Sequence, residues 1–430
     1  MRGLIAGLLL LAALSLAACG EESSAPPGAD DGPVRLRVWV HSGQPGERAV
    51  IRDQVARFNA AEPGVQVELT VIPEGGYNAQ VQAAALAGDL PDVLEFDGPF
   101  LYSYAWQGHL RPLDGLLPAA VRDDLLPSLA AQGSWNGRLY AVGAFDSGLG
   151  LWGRKSLLEA VGARLPAGPD AAWSATEFAQ LLERLAERDS DGAVLDLKLN
   201  YTGEWFTYAF SPVLQSAGAD LVTRAPPLRA GGVLDSGEAV AALRRVQDWI
   251  RAGRVDPNLD DAAFTGGRVA LSWAGHWEYP RYRKAVGDDL VLLPLPDFGA
   301  GSRTGQGSWN WAITTRCDRP EAAARFLGFL LQPDEVLAMT AANGAVPGTR
   351  RAVARSPLYG PAGPLRLFVA QLGENAVPRP RTPAYPVITS AFQKAFQDIR
   401  NGLDVEEALR RAAALIDQDI QDNRGYRAVE

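Results

Sequence analysis

Between residues 34 and 96 the chain alternates between two hydrophobic periods, and this restricts its fold more than any other feature. "VRLRVWV" (34–40) alternates apolar and polar residues, the period of a strand. "ERAVIRDQVARFNAAEPG" follows, with Val50, Ile51, Val55 and Phe58 on roughly one face and Gly64 at its end, the pattern of an amphipathic helix. "VQVELTVIP" (65–73), "YNAQVQAAALAGDL" and "PDVLEF" (91–96) continue as strand, helix, strand. Five such elements in this order predict the βαβ units of an α/β chain with a doubly wound sheet. Ligands of such sheets sit beyond the carboxyl ends of the strands, which puts the loops His41–Gln44 and Asp97–Pro99 on the functional rim.

The remainder is a mixture of the same elements. "SATEFAQLLERLAERD" carries Ser174 as N-cap and Glu177 three residues on, a capping box. "SGEAVAALRRVQDWIRAG", "DRPEAAARFLGFLLQPDEVLAMTAANG" and the run from 388 to 421 predict further helices, while "GGRVALSWAG" and "DLVLLPLP" predict strands. In "ERDSDGAVLD" (187–196) the glycine falls too early for an EF-hand loop and the closing glutamate is missing, so a solvated turn is favoured over a calcium loop. Two cysteines and three histidines leave no zinc or iron–sulfur motif, and neither a metal nor another cofactor is expected. Cys317 is expected to be a buried, inert thiol. A formal charge of −9 with no basic cluster argues against nucleic acid.

The first 19 residues, "MRGLIAGLLLLAALSLAAC", hold one basic residue and an apolar run too short for a membrane span, the pattern of an export signal. Leu16-Ala17-Ala18-Cys19 resembles a bacterial lipobox, with Cys19 as the lipidation site; an ordinary signal peptide with a chance cysteine is the alternative. Residues 20–33, "GEESSAPPGADDGP", have the composition of a flexible tether. A lipid anchor and a tether would hold an exported body at the cell membrane, in the periplasm or extracellular space.

"VWVHSGQPGERAVIRDQVARFNAAEPGVQVEL", "LAGDLPDVLEFDGPFLYSYAWQGHLRPLD", "WNGRLYAVGAFDSGLGLWGRKSLLEAVG", "AFTGGRVALSWAGHWEYPRY" and "GSWNWAITTR" occur in an order that resembles the sugar-binding proteins of bacterial ABC importers, the maltose-binding-protein-like family. The resemblance implies a two-lobed periplasmic-binding-protein fold of type II, with a hinge of several chain crossings near 142–146, 294–307 and 346–350. It divides the chain into residues 34–143 plus 300–346 for one lobe, and 144–299 plus 347–430 for the other. It also implies a monomeric receptor that takes a carbohydrate, a di- or oligosaccharide, and docks on ABC permease subunits.

Sugars offer apolar C–H faces to aromatic rings and hydroxyls to short polar side chains. By resemblance Trp277 and Trp205 are the stacking rings, with Tyr77 and Arg381 weaker carry-overs. Trp273 and Trp309 lie at the rim or in the core; Trp39 and Trp311 are expected in the core. His41, Gln44, Asp97 and Asp146 would take hydroxyls, although "FDG" also suits a turn held by Asp97 alone. Glycines beside the rings would leave room for a pyranose. Phe96 and "DGP" depart from the family's maltose-binding residues, so maltose specificity does not carry over. Two further readings stay open: the same fold binding glycerol-3-phosphate or a related phosphodiester, which rim aspartates would repel, and a secreted saccharide hydrolase or lyase built on Asp97 and Asp146.

Overall fold

The computed structural model describes residues 32–426 except Pro361. The export signal, Cys19 and all but the last two residues of the expected tether lie outside the described residues. No described helix is long and apolar enough to cross a membrane.

Residues 34–97 form the predicted alternation. Strand Val34–His41 pairs in parallel with Val65–Ile72 on one side and with Val93–Asp97 on the other. Helices Pro45–Ala61 and Glu74–Ala87 make the two connections. The sheet is mixed: Trp309–Ile313 returns from far along the chain to pair antiparallel with Val93–Asp97 and with the short strand Ala141–Val142. Both faces are covered, as parallel strands require. Val38, Val93, Trp311 and Ile313 pack with Phe58 and Phe326 on one face; Leu94, Phe96 and Ala312 pack with Phe100 and Leu101 on the other.

A second, four-stranded sheet has the order Leu290–Leu293, Leu149–Arg154, Leu271–Gly275, Leu195–Asp196. Helices Trp205–Ser216, Gly237–Arg251, Tyr385–Arg400 and Val405–Asp422 share its core, which includes Leu151, Trp273, Phe210, Phe392 and Leu409. Helix Ala175–Ala186 packs in the same core, and its Ser174–Glu177 capping box is formed. The long helical run predicted from residue 318 is two helices, Pro320–Leu330 and Pro333–Asn343. Proline at 333 has no backbone N–H for the first helix to use, so a second helix starts there. At 187–196 the Asp189 carboxylate accepts backbone N–H bonds from Asp191 and Gly192, a side-chain-stabilised turn. Cys317 is buried.

Two small ladders lie where the chain passes between the sheets. Phe145–Asp146, between Ala141–Val142 and Leu149–Arg154, pairs with Val346–Pro347. Thr304–Gln306, on the return from the second sheet to Trp309–Ile313, pairs with Ala376–Pro378. The architecture is thus a two-lobed α/β fold with several crossings. After Val346–Pro347, Ala352 still packs in the first lobe's core, whereas Tyr359 and Phe368 pack with Trp152 of the second.

Candidate functional site

The carboxyl ends of strands from both sheets meet at a cavity of about 330 Å³. His41 and Asp97 end two strands of the first sheet, and Trp309 is the cross-strand neighbour of Asp97. His276 and Trp277 follow strand Leu271–Gly275 of the second sheet; residues 200–204 lead from strand Leu195–Asp196 into the helix that begins at Trp205. Ser147 and Arg379 come from the crossings.

Rings from both halves line it. Trp309 stacks flat on His41, with centroids 3.7 Å apart and planes 1° from parallel. Opposite, Trp277 meets Trp205 edge-on at 6.0 Å and Tyr208 at 6.3 Å, and Trp205 in turn packs on Tyr201 at 5.2 Å. The glycine beside Trp277 serves the protein rather than a ligand. A Cβ on Gly275 would stand 2.0 Å from the Trp277 ring, so the indole lies in the space that the missing side chain leaves. Gly305 makes the same allowance for Tyr208, with a distance of 2.8 Å.

Charge is concentrated here. Arg379, 4% exposed, donates two hydrogen bonds to Asp97, at 2.5 and 2.6 Å. Its guanidinium also reaches Glu204 at 3.4 Å and lies over the Tyr208 ring at 5.0 Å. Gly307, with φ +137°, admits it, since a Cβ there would be 3.1 Å from Arg379 Nη2. Glu204 accepts from the Tyr385 hydroxyl at 2.6 Å and the Thr389 hydroxyl at 2.7 Å. Burial, offset in part by Arg379 and reinforced by Asp97, raises the Glu204 carboxyl to about 7. Burial alone would lower the His41 imidazole, but Glu95, 2.6 Å from Nδ1, raises it to about 9, so the ring is cationic at neutral pH. His276 is the opposite case: burial lowers it to about 4, and its Nδ1 donates to the Asn343 carbonyl at 2.9 Å.

Of the ten residues singled out in the sequence, the structure brings His41, Gln44, Asp97, Trp205, Trp277 and Trp309 to the cavity wall. Tyr77, Asp146, Trp273 and Arg381 do not line it. Tyr77 is fully buried, its hydroxyl donating to the Glu95 carbonyl. Asp146 lies in the crossing, where its carboxylate accepts from the Ser147 N–H at 2.8 Å and the Gln306 amide at 3.2 Å. Trp273 points the other way from its strand and packs on Phe210 in the second core. Arg381 is exposed; the arginine at the cavity is Arg379, two residues earlier in the same "RPRTP". Reading the sequence missed Arg379, Glu204, Glu47 and Glu74. Nothing local to "RPR" separates its two arginines, and Glu204 was hidden beside the more conspicuous Trp205.

A model of the bacterial extracellular solute-binding proteins matches residues 53–360. The chain belongs to this family. Among the relatives of this solute-binding protein is an uncharacterized lipoprotein from the oleD 5′ region of Streptomyces antibioticus, 26% identical over 367 residues that cover 82% of this chain and 78% of the relative. The GacH receptor of Streptomyces glaucescens, solved unliganded and with acarbose or an acarbose homologue, matches with a TM-score of 0.76 at 22% identity, covering 91% of this chain and 98% of that one. The maltose-bound MalE3 of T. maritima also gives a TM-score of 0.76 at 22% identity, over 89% and 99%. At these identities the likeness establishes the type II fold that the solute-binding protein shares with them.

Proposed function

We propose that this solute-binding protein is the receptor of an ABC importer and holds a small saccharide between its lobes without transforming it. The observation that carries the reading is the cavity itself, lined by Trp205, Trp277 and Trp309 and bordered by polar atoms that lack a hydrogen-bond partner among the described residues: Asn78 Oδ1, Ser308 Oγ and Arg379 Nε. Rings suit C–H faces, and buried polar atoms left unpaired cost about 1–3 kcal/mol each until a hydroxyl satisfies them. The volume is near the lower end of the ~300–1,000 Å³ typical of small-molecule sites and suits one or two rings. Sugars named for the structural neighbours agree with this reading: maltose for MalE3, and α-D-tagatose for a Thermotoga lettingae binding protein.

A hydrolytic pair is disfavoured, because Asp97 is held by Arg379 and Asp146 lies off the cavity. The carboxylates on the wall also weigh against a phosphodiester. The lobe boundaries drawn from the sequence serve as the working division, with the crossing ladders as hinge and the exposed rims of a monomer docking on the permease. Anchoring through Cys19 is part of the same reading, supported by the lipoprotein relative; the mass of the N-terminal peptide from native cells checks it.

Thermal melts across mono-, di- and trisaccharides test binding, since a ligand at 100 times its Kd adds ~2.7 kcal/mol. Stabilisation by at least one saccharide, with no new reducing ends on incubation, is expected. A folded protein that no saccharide stabilises, or one that cleaves them, overturns the proposal.

A further inference from the structure

The charges at the cavity do not balance, and the imbalance specifies the ligand more closely. This inference rests on the saccharide reading above. Three carboxylates are matched where they stand: Asp97 by Arg379, Glu95 by the protonated His41, and Asp261 by Lys198 at 2.9 Å and Arg281 at 2.6 Å. Two on the first lobe's wall have no cation in contact, although both share the attraction of the His41 imidazolium with Glu95. Among the described residues Glu47 accepts from neutral donors, the Asn343 amide at 2.8 Å and the Gln44 backbone N–H at 2.6 Å. The Glu74 carboxylate, exposed at the rim, makes no ion pair or hydrogen bond among the described residues; burial in the cleft raises it and the attraction of His41 opposes the rise. On the facing side Glu204 has only a 3.4 Å share of an arginine already committed to Asp97.

Of the unpartnered atoms, Arg379 Nε is a donor, and the other two can accept. Asn78, one helical turn beyond Glu74, leaves its carbonyl Oδ1 unused, and Ser308, 3% exposed on the cavity wall, leaves its hydroxyl unused. Glu47, Glu74, Asp97, Glu204 and Asp261 on the wall outnumber the cations His41 and Arg379 there, so negative charge is in surplus even with Arg379 Nε as a free donor. The lobes also approach one another beside it: a Cβ on Gly75 would be 3.2 Å from the Thr202 hydroxyl, with Glu47 half-buried and Glu74 exposed at the rim. Neutral hydroxyls can hydrogen-bond to carboxylates but leave their charge uncompensated. An ammonium group supplies both donors and charge.

We infer that the saccharide carries a protonated amine, as an amino sugar or an amine-bearing oligosaccharide, with the ammonium facing Glu47 and Glu74. The rings of Trp205 and Trp277 are left to cover its C–H faces.

Calorimetry at pH 7 on matched pairs tests this: glucosamine against glucose, galactosamine against galactose, the β-1,4 glucosamine dimer against cellobiose, and 6-amino-6-deoxymaltose against maltose. The amine member of at least one pair is expected to bind tenfold or more tighter than its neutral partner. That preference should collapse in the Glu47→Gln/Glu74→Gln double variant, whose melting curve reports that it is folded. If neutral members bind as tightly wherever a pair binds, or if the double variant keeps the preference, the amine inference falls and the saccharide reading stands. If no member of any pair binds folded protein, the amine inference falls, and the saccharide reading falls with it only if the melts across mono-, di- and trisaccharides also show no stabilisation.

Discussion

At the scale of single residues, the site depends on side chains fitted into space left by glycine. Gly275 has φ −92° and ψ −172°, which alanine adopts without strain, so Gly275→Ala acts only through the methyl group pushed into the Trp277 ring. Saccharide binding should weaken at least tenfold, with a loss of stability near the ~1–3 kcal/mol of an overpacked core; normal titration by this variant would show that the indole's position is irrelevant. Arg379 is the other pivot. Arg379→Ala leaves Asp97 and Glu204 facing one another without their cation, and breaking a buried pair in this way costs about 3–5 kcal/mol. Arg379→Lys should recover only part of it, because a point charge cannot reproduce the forked contact. A melting temperature equal to wild type in either variant would contradict this account. Both residues show what a linear reading loses. Trp277 could be found by resemblance and Gly275 by adjacency, but the purpose of the glycine was misassigned to the ligand. Arg379 could not be told from Arg381 without knowing that strand Ala376–Pro378 ends beside Gly307.

At the scale of elements, the parallel trio was legible because each strand and helix announces its own period and its own end. The later pairings were not, since they join residues far apart: Trp309–Ile313 to Val93–Asp97, Val346–Pro347 to Phe145–Asp146, Ala376–Pro378 to Thr304–Gln306. Ladders two or three residues long carry no readable period. Strand alternation also sorts the tryptophans once the register is known. Trp311 is 4% exposed and meets Phe326 edge-on in the first core, whereas Trp277, just past its strand, is half-buried on the cavity wall. Trp311→Ala should therefore cost ~3–5 kcal/mol of folding stability. Trp277→Ala should instead weaken saccharide binding by a few kcal/mol and move the unliganded melting temperature much less. Melting curves and titrations on the two variants check this, and the reverse pattern would move the platform elsewhere.

At the scale of the whole molecule, proton binding at the cavity is coupled to folding. The imidazole of His41 is raised from 6.5 to about 9 in the fold, with Glu95 in contact and Glu47 and Glu74 adding attraction. The folded state thus holds a proton that the unfolded chain gives up between these values, and stability falls as pH rises through that window. The full difference is about 3 kcal/mol at 1.36 kcal/mol per unit. Glu204, raised to about 7, has the same sign one window lower: its contribution is present below about 4.5 and lost as pH rises through 7. Unliganded protein should therefore lose a few degrees of melting temperature between pH 6.5 and 9. Glu95→Gln removes the main attraction on His41. It should melt lower than wild type near pH 6.5 and lose most of the slope above it, because burial then leaves the imidazole neutral in the fold. A wild-type melting temperature that stays level or climbs from pH 6.5 to 9, or a Glu95→Gln curve parallel to it, would show that the His41–Glu95 pair does not hold this proton.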